Sequence, residues 1–172
     1  MIVVCPLSQL PAQLAASGAR RVVTLLAEGR VVPTPEGVAP ADHLTLGFHD
    51  ISTPMDGHTP PAAHHVERLL DFVGRWDRAA PLLIHCWAGI SRSTAAAYVT
   101  ACALNPRRDE AEVALRLRRL SPSATPNALI VRLADEALGR RGRMVRAVAA
   151  IGRGRDAFQG EPFVLPIDGD DA

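Results

Sequence analysis

PLLIHCWAGISRSTAAA, residues 81–97, is the stretch on which the reading of this chain turns. Its first part, residues 81–85, is a short continuous apolar run, the pattern of a strand buried on both faces. Cys86 follows, then Trp87, Ala88, Gly89, Ile90 and Ser91, then Arg92 and Ser93. From about Ser91 the chain is apolar and alanine-rich as far as Leu104, which reads as a helix. A strand, a short loop and a helix N-terminus make the geometry a phosphate needs. The first N–H groups of a helix have no internal acceptor, and the helix dipole favours an anion there. A tight loop turns successive N–H groups inward as a nest, and Gly89 tolerates the positive φ and close approach such a loop requires. Arg92 can grip two phosphate oxygens with its planar fork. A thiol in that positive field is favoured as the nucleophilic thiolate, so Cys86 at the floor of the loop is aimed at phosphorus. Ser93 can donate a hydrogen bond to the sulfur and ease its departure. His85 can orient the loop by hydrogen bonds to its backbone.

The Cys-x5-Arg spacing alone is weak in a chain with 19 basic residues and no Lys. Cys102 and Arg108 have the same spacing. Context separates the two pairs. Cys102 ends a helical run, its intervening residues hold a Pro and no Gly, and an amphipathic helix follows.

Working outward, residues 2–5 and 21–26 (RVVTLL) read as strands, and residues 43–48 alternate, with Leu44, Leu46 and Phe48 on one side, as a third. Residues 8–17 and 62–77 have helical character, the latter with Val66, Leu69, Leu70, Val73 and Trp76 at helical spacing. Prolines and glycines mark 29–41 and 51–61 as loops. Beyond Arg92 the pattern is helical: 108–120 is amphipathic, Thr125-Pro126 resembles an N-cap with Pro at N1 opening a helix to Leu138, and 140–151 is another helical stretch. The expected fold is α/β: a single domain with a central, largely parallel sheet of four to five strands, flanked by helices, and a helical C-terminal half. Residues 1–155 form the expected domain, and 156–172 an irregular tail with a loose acidic end.

Composition narrows the function. A formal charge of +1 argues against a nucleic-acid partner held by bulk electrostatics. The opening MIVVCPLSQLPAQ lacks the basic and long apolar regions of a signal peptide. The longest apolar stretch is too short for a bilayer, so no membrane association is expected. Three cysteines, Cys5, Cys86 and Cys102, are an odd, sparse set rather than a disulfide framework, which points to a reducing cytoplasm.

HCWAGISRS, residues 85–93, is similar to the His-Cys-x5-Arg-Ser signature of the protein tyrosine phosphatase superfamily, especially its dual-specificity type. His85, Cys86, Gly89, Arg92 and Ser93 match it, and the order of strands and helices fits over roughly residues 1–140. The resemblance implies a phosphocysteine intermediate hydrolysed by water. It also implies phosphate binding by the loop Trp87, Ala88, Gly89, Ile90, Ser91 and Arg92, and an upstream Asp acting as general acid and then base. No cofactor and no metal are expected. The resemblance implies a phosphomonoester substrate, on a protein phosphotyrosine or, in the dual-specificity manner, on phosphoserine or phosphothreonine, or on a small molecule. One rival is an inositol phosphate or phosphoinositide phosphatase, disfavoured because Trp87, Ala88, Ile90 and Ser91 are uncharged. Another is an inactive phospho-binding module, disfavoured by intact Cys86 and Arg92.

A leaving alkoxide or phenoxide needs a proton. Asp50 lies 36 residues before Cys86, at the end of the alternating strand, and Asp56 lies 30 before it, in MDGHTPP. Strand phase favours Asp50, while spacing favours Asp56. Asp50 is chosen. His43, His49, His58, His64 and His65 show no metal-ligand spacing and read as solvated loop and helix-start residues. RRGRMVR, residues 140–146, reads as a charged helix face rather than a phosphate-binding surface. Cys5 and Cys102 lie in apolar runs and read as packing residues rather than resolving thiols.

Overall fold

The computed structural model describes residues 1–167. Strands β1 (Ile2–Pro6), β2 (Arg21–Leu26), β3 (His43–Gly47), β4 (Leu82–Cys86) and β5 (Phe163–Leu165) form one sheet in the order β3-β2-β4-β1-β5. The first four strands are parallel, and β5 adds antiparallel to the edge of β1. Six α-helices accompany them: α1 (Leu10–Ser17), α2 (Ala63–Gly74), α3 (Arg92–Leu104), α4 (Glu110–Leu120), α5 (Ala128–Ala137) and α6 (Arg143–Ile151).

The central strands are apolar on both faces because both faces are covered. Val4, Ile84 and Val23 sit in register and belong to the large core with Leu69 of α2, Tyr98 of α3, Leu117 of α4, Ile130 of α5 and Met144 of α6. Their neighbours Val3, Leu83 and Val22 point to the other face, into a smaller core with Leu10 of α1 and Val38. β4 is fully buried along its length. Helix α3 is buried from Arg92 to Cys102, which explains why it is apolar all round rather than amphipathic. Such a central strand and helix hold the loop between them on rigid supports.

Two local expectations are corrected. Within the segment 156–172, expected to be irregular, Phe163–Leu165 is a strand whose register pairs Val4 with Phe163 and Ile2 with Leu165. Phe163 and Leu165 turn inward and Val164 outward, a period-2 pattern too short to stand out in sequence. The N-cap of α5 is Asn127, not Thr125: Asn127 Oδ1 accepts from the N–H groups of Leu129 and Ile130, both at 3.1 Å. The expected loose acidic end, residues 168–172, lies outside the described residues.

Candidate active site

β4 delivers Cys86 to the carboxyl edge of the sheet, and the loop from Trp87 to Ser91 leads directly into α3. Four of the loop's carbonyls are fastened from outside. Trp87 O accepts from Leu7 N at 3.2 Å, Ala88 O from Gly160 N at 2.8 Å, Ile90 O from Thr125 N at 2.9 Å, and Ser91 O from Asn127 N at 3.3 Å. A planar peptide carries its N–H opposite its C=O, so outward carbonyls turn the amides of Ala88, Gly89, Ser91 and Arg92 inward. Gly89 N shows the result, donating to Cys86 Sγ at 3.3 Å. Gly89 itself has φ +71°, and a Cβ there would stand 2.8 Å from Pro6 N at the end of β1. Conformation and space therefore both require glycine.

Inside this nest Cys86 is 1% exposed, and its sulfur lies 3.1 Å from Ser93 Oγ. Arg92 is buried; its Nη1 donates to Phe48 O at 3.0 Å. Its Nε is buried with no hydrogen-bond partner, which suits an oxyanion. Asp50 Oδ2 lies 3.7 Å from that Nε. Asp50 Oδ1 accepts from Ser91 Oγ at 2.7 Å and from Asn127 Nδ2 at 2.8 Å. Asp50 thus stands against the loop that follows Cys86. Asp56 sits on an exposed turn closed by His58 N on Met55 O, and its main-chain oxygen accepts from His58 Nδ1.

His85 is fully buried, and its Nε2 meets Thr24 Oγ1 at 2.7 Å. The same hydroxyl meets His43 Nε2 at 2.8 Å. Thr24 has one hydroxyl proton, so at most one imidazole accepts from it and at least one donates to it. Burial first, then His43, pushes the His85 imidazole down to about 4. Trp87 is about half exposed, with the Arg30 guanidinium 4.7 Å from its ring centre. His49 belongs to the loop carrying Asp50: its N–H donates to Thr59 O at 2.7 Å, and its Nδ1 accepts from Thr59 N at 3.0 Å.

The other two cysteines lie in packed surroundings. Burial pushes both the Cys5 and Cys102 thiols up to about 12. Arg108, the spacing partner of Cys102, donates instead to Ile167 O at 3.2 Å. Within RRGRMVR, Arg140 is buried and pairs with Glu110 at 3.1 Å, as Arg143 does. That stretch ties α4 to α6 as well as carrying exposed charge. No helix of the described residues is long and apolar enough to cross a membrane. Sequence reasoning missed Leu7, Thr125, Asn127 and Gly160, which frame the loop through main-chain groups.

No family model and no curated protein sequence matches the chain. Its fold is that of the cysteine-dependent protein tyrosine phosphatases of dual-specificity type. The chain is similar to DUSP15, at 16% identity over 89% of this chain and 92% of that one, with a TM-score of 0.63. It is similar to PTP-2 phosphatase of Cydia pomonella, at 19% identity over 77% and 83%, with a TM-score of 0.60. PTPMT1, solved in complex with PI(5)P, matches at 14% identity over 86% and 90%, with a TM-score of 0.56.

Proposed function

We propose that the chain is a phosphomonoester phosphatase, acting through a phosphocysteine intermediate on protein phosphotyrosine, with phosphoserine and phosphothreonine in the dual-specificity range. The observation that carries this reading is the loop around Cys86. Its carbonyls are tied outward, its Gly89 N–H points at the sulfur, and the buried Arg92 Nε has no hydrogen-bond partner. The inward N–H groups and Arg92 bind the phosphate, placing phosphorus over Cys86 Sγ. The thiolate attacks phosphorus, the P–O bond to the leaving group breaks, and protonated Asp50 supplies the leaving oxygen with its proton. Ser93 Oγ, 3.1 Å from the sulfur, stabilises the thiolate as it departs in the second step. There Asp50, now ionised, takes a proton from the attacking water, and inorganic phosphate leaves.

The phosphoinositide reading keeps one support, the fold likeness to PTPMT1. The loop side chains Trp87, Ala88, Ile90 and Ser91 bring no extra cation for a polyanionic headgroup. Parallel assays on tyrosine phosphopeptides and phosphoinositide vesicles separate the two. The proposed mechanism is tested by Cys86→Ser, which should lose turnover of aryl phosphates while still binding vanadate, since the N–H groups and Arg92 remain. Turnover comparable to the parent would sink it.

A further inference from the structure

After α6 the chain does not leave the molecule. Arg118 Nη2 donates to Gly152 O at 2.7 Å, Gly154 N to Thr125 Oγ1 at 3.1 Å, and Arg155 N to Pro122 O at 2.9 Å. The chain then passes the phosphate loop, where Gly160 N donates to Ala88 O at 2.8 Å. Ser8 Oγ fastens Gln159 Oε1 at 2.8 Å, and Phe163–Leu165 anchors the end of this strap as β5. Because β5 is antiparallel to β1 with Phe163 opposite Val4, the residues before Phe163 run past the carboxyl end of β1. That is the edge at which Pro6 of β1 pairs with Cys86. The strap therefore lies at the carboxyl edge of the sheet, which also holds the site.

Two features of the strap concern the chemistry. The peptide between Ala88 and Gly89 is held at both ends: its C=O by Gly160, its N–H by Cys86 Sγ. A Cβ on Gly160 would come within 2.8 Å of Gly89 O, so only glycine brings the strap close enough to make that bond. Phe158, 97% exposed, lies two residues before Gly160, at most about 7 Å along the chain. Its ring stands in water, on a backbone segment that touches the loop at Gly160.

We propose that the strap of residues 152–160 is a wall of the active site, in which Gly160 positions the Ala88–Gly89 peptide and Phe158 contacts the aryl leaving group of the substrate. This rests on the phosphatase reading and adds a specificity element to it. A phosphotyrosine ring entering the loop covers Phe158, while a phosphoserine side chain is too short to gain from it. Aromatic pairing of this kind is worth about a tenfold change in affinity.

The test is steady-state kinetics on the full chain. Phe158→Ala should raise KM for a tyrosine phosphopeptide about tenfold, leaving kcat, KM for the matching serine phosphopeptide and vanadate inhibition unchanged. An unchanged KM for the tyrosine phosphopeptide, or an equal change on both peptides, overturns the role of Phe158. Gly160→Ala should weaken vanadate inhibition and lower kcat/KM on both peptides by roughly 10²-fold, the cost of a misplaced binding group, with its thermal midpoint within a few degrees of the parent. Parent-like vanadate inhibition and kcat in a folded Gly160→Ala overturn its positioning role. Gln159→Ala, which loosens the strap at Ser8 without adding atoms, is the second variant. It should weaken vanadate inhibition in the same direction, and no change there counts against the strap. Inactive Cys86→Ser alongside parent-like strap variants removes the strap assignment alone, whereas active Cys86→Ser removes the phosphatase reading itself.

Discussion

Asp50 and Arg92 approach within 3.7 Å, and this approach supports Asp50 over Asp56 in the proposed work on the leaving group. An acid matters in proportion to how badly the leaving oxygen needs a proton. Tyrosine's phenol, with a pKa near 10, needs it; a strongly acidic phenol leaves unaided. Asp50→Ala is expected to lose on the order of 10²–10⁴ in rate with phosphotyrosine, the loss shrinking as the leaving-group pKa falls. Asp56→Ala, on its exposed turn, should show no such dependence. A leaving-group series on both variants checks this, and the reverse pattern would move the role to Asp56. A second expectation concerns the thiols. Oxidation follows the thiolate, and burial pushes Cys5 and Cys102 up to about 12. Peroxide should therefore abolish the proposed phosphatase activity reversibly through Cys86, and peptide mapping that finds Cys5 or Cys102 oxidised first, with activity kept, would contradict it.

At the scale of elements, α5 and the candidate site share one residue. Asn127 caps α5 with its oxygen and donates to Asp50 with its nitrogen. The two tasks separate by substitution. Asn127→Asp keeps an acceptor for the cap, where Asp serves as well as Asn, but loses the donor and sets a second carboxylate beside Asp50. It should melt near the parent temperature, while kcat toward aryl phosphates drops roughly fivefold, the worth of one hydrogen bond. Asn127→Ala should lose both, with about 1 kcal/mol of stability gone from the cap. A thermal melt beside a kinetic assay reads the difference. The strand, loop and helix around Cys86 were legible because β4 is buried on both faces and α3 nearly all round, so composition there is tightly constrained. The loop's fasteners were not. Leu7, Thr125, Asn127 and Gly160 act through backbone N–H groups, which every residue but proline carries, and they are scattered over the chain. No side-chain pattern marks such a role. Asn127 was hidden for a further reason: Thr125-Pro126 offers an equally good cap two residues earlier, and only the folded chain shows its hydroxyl engaged elsewhere, accepting from Gly154 N and donating to Ser123 O.

For the molecule as a whole, placing the signature histidine in the centre of the sheet has a cost that appears in acid. His85 is fully buried between β2 and β1 and is pushed down to about 4 from 6.5, first by burial. His65 is also pushed down to about 4 by burial, then by His64; its Nδ1 accepts from Ala62 N at 3.0 Å, a bond that protonation there would break. Between pH 6.5 and 4 the unfolded chain binds protons that the folded chain refuses, so stability must fall as pH falls through this window. Above 6.5 both states leave these rings neutral, and the loss is absent. Below 4 both states are protonated, and these two groups add no further loss. His85 alone accounts for on the order of 3 kcal/mol at the acid end. Glu110 acts in a lower window. Burial would raise its carboxyl, but the hydrogen bond from Arg143 and the charges of Arg143 and Arg140 outweigh burial and hold it below 4.5. Its loss therefore begins only as pH drops below that value. Chemical denaturation at a series of pH values should show stability declining from pH 6.5, and His85→Gln should flatten part of that decline. Equal slopes between pH 6.5 and 4.5 in parent and His85→Gln would mean that the imidazole takes up its proton in the folded state. In that case the bond to Thr24 would join a cation to the floor of the site rather than a neutral ring.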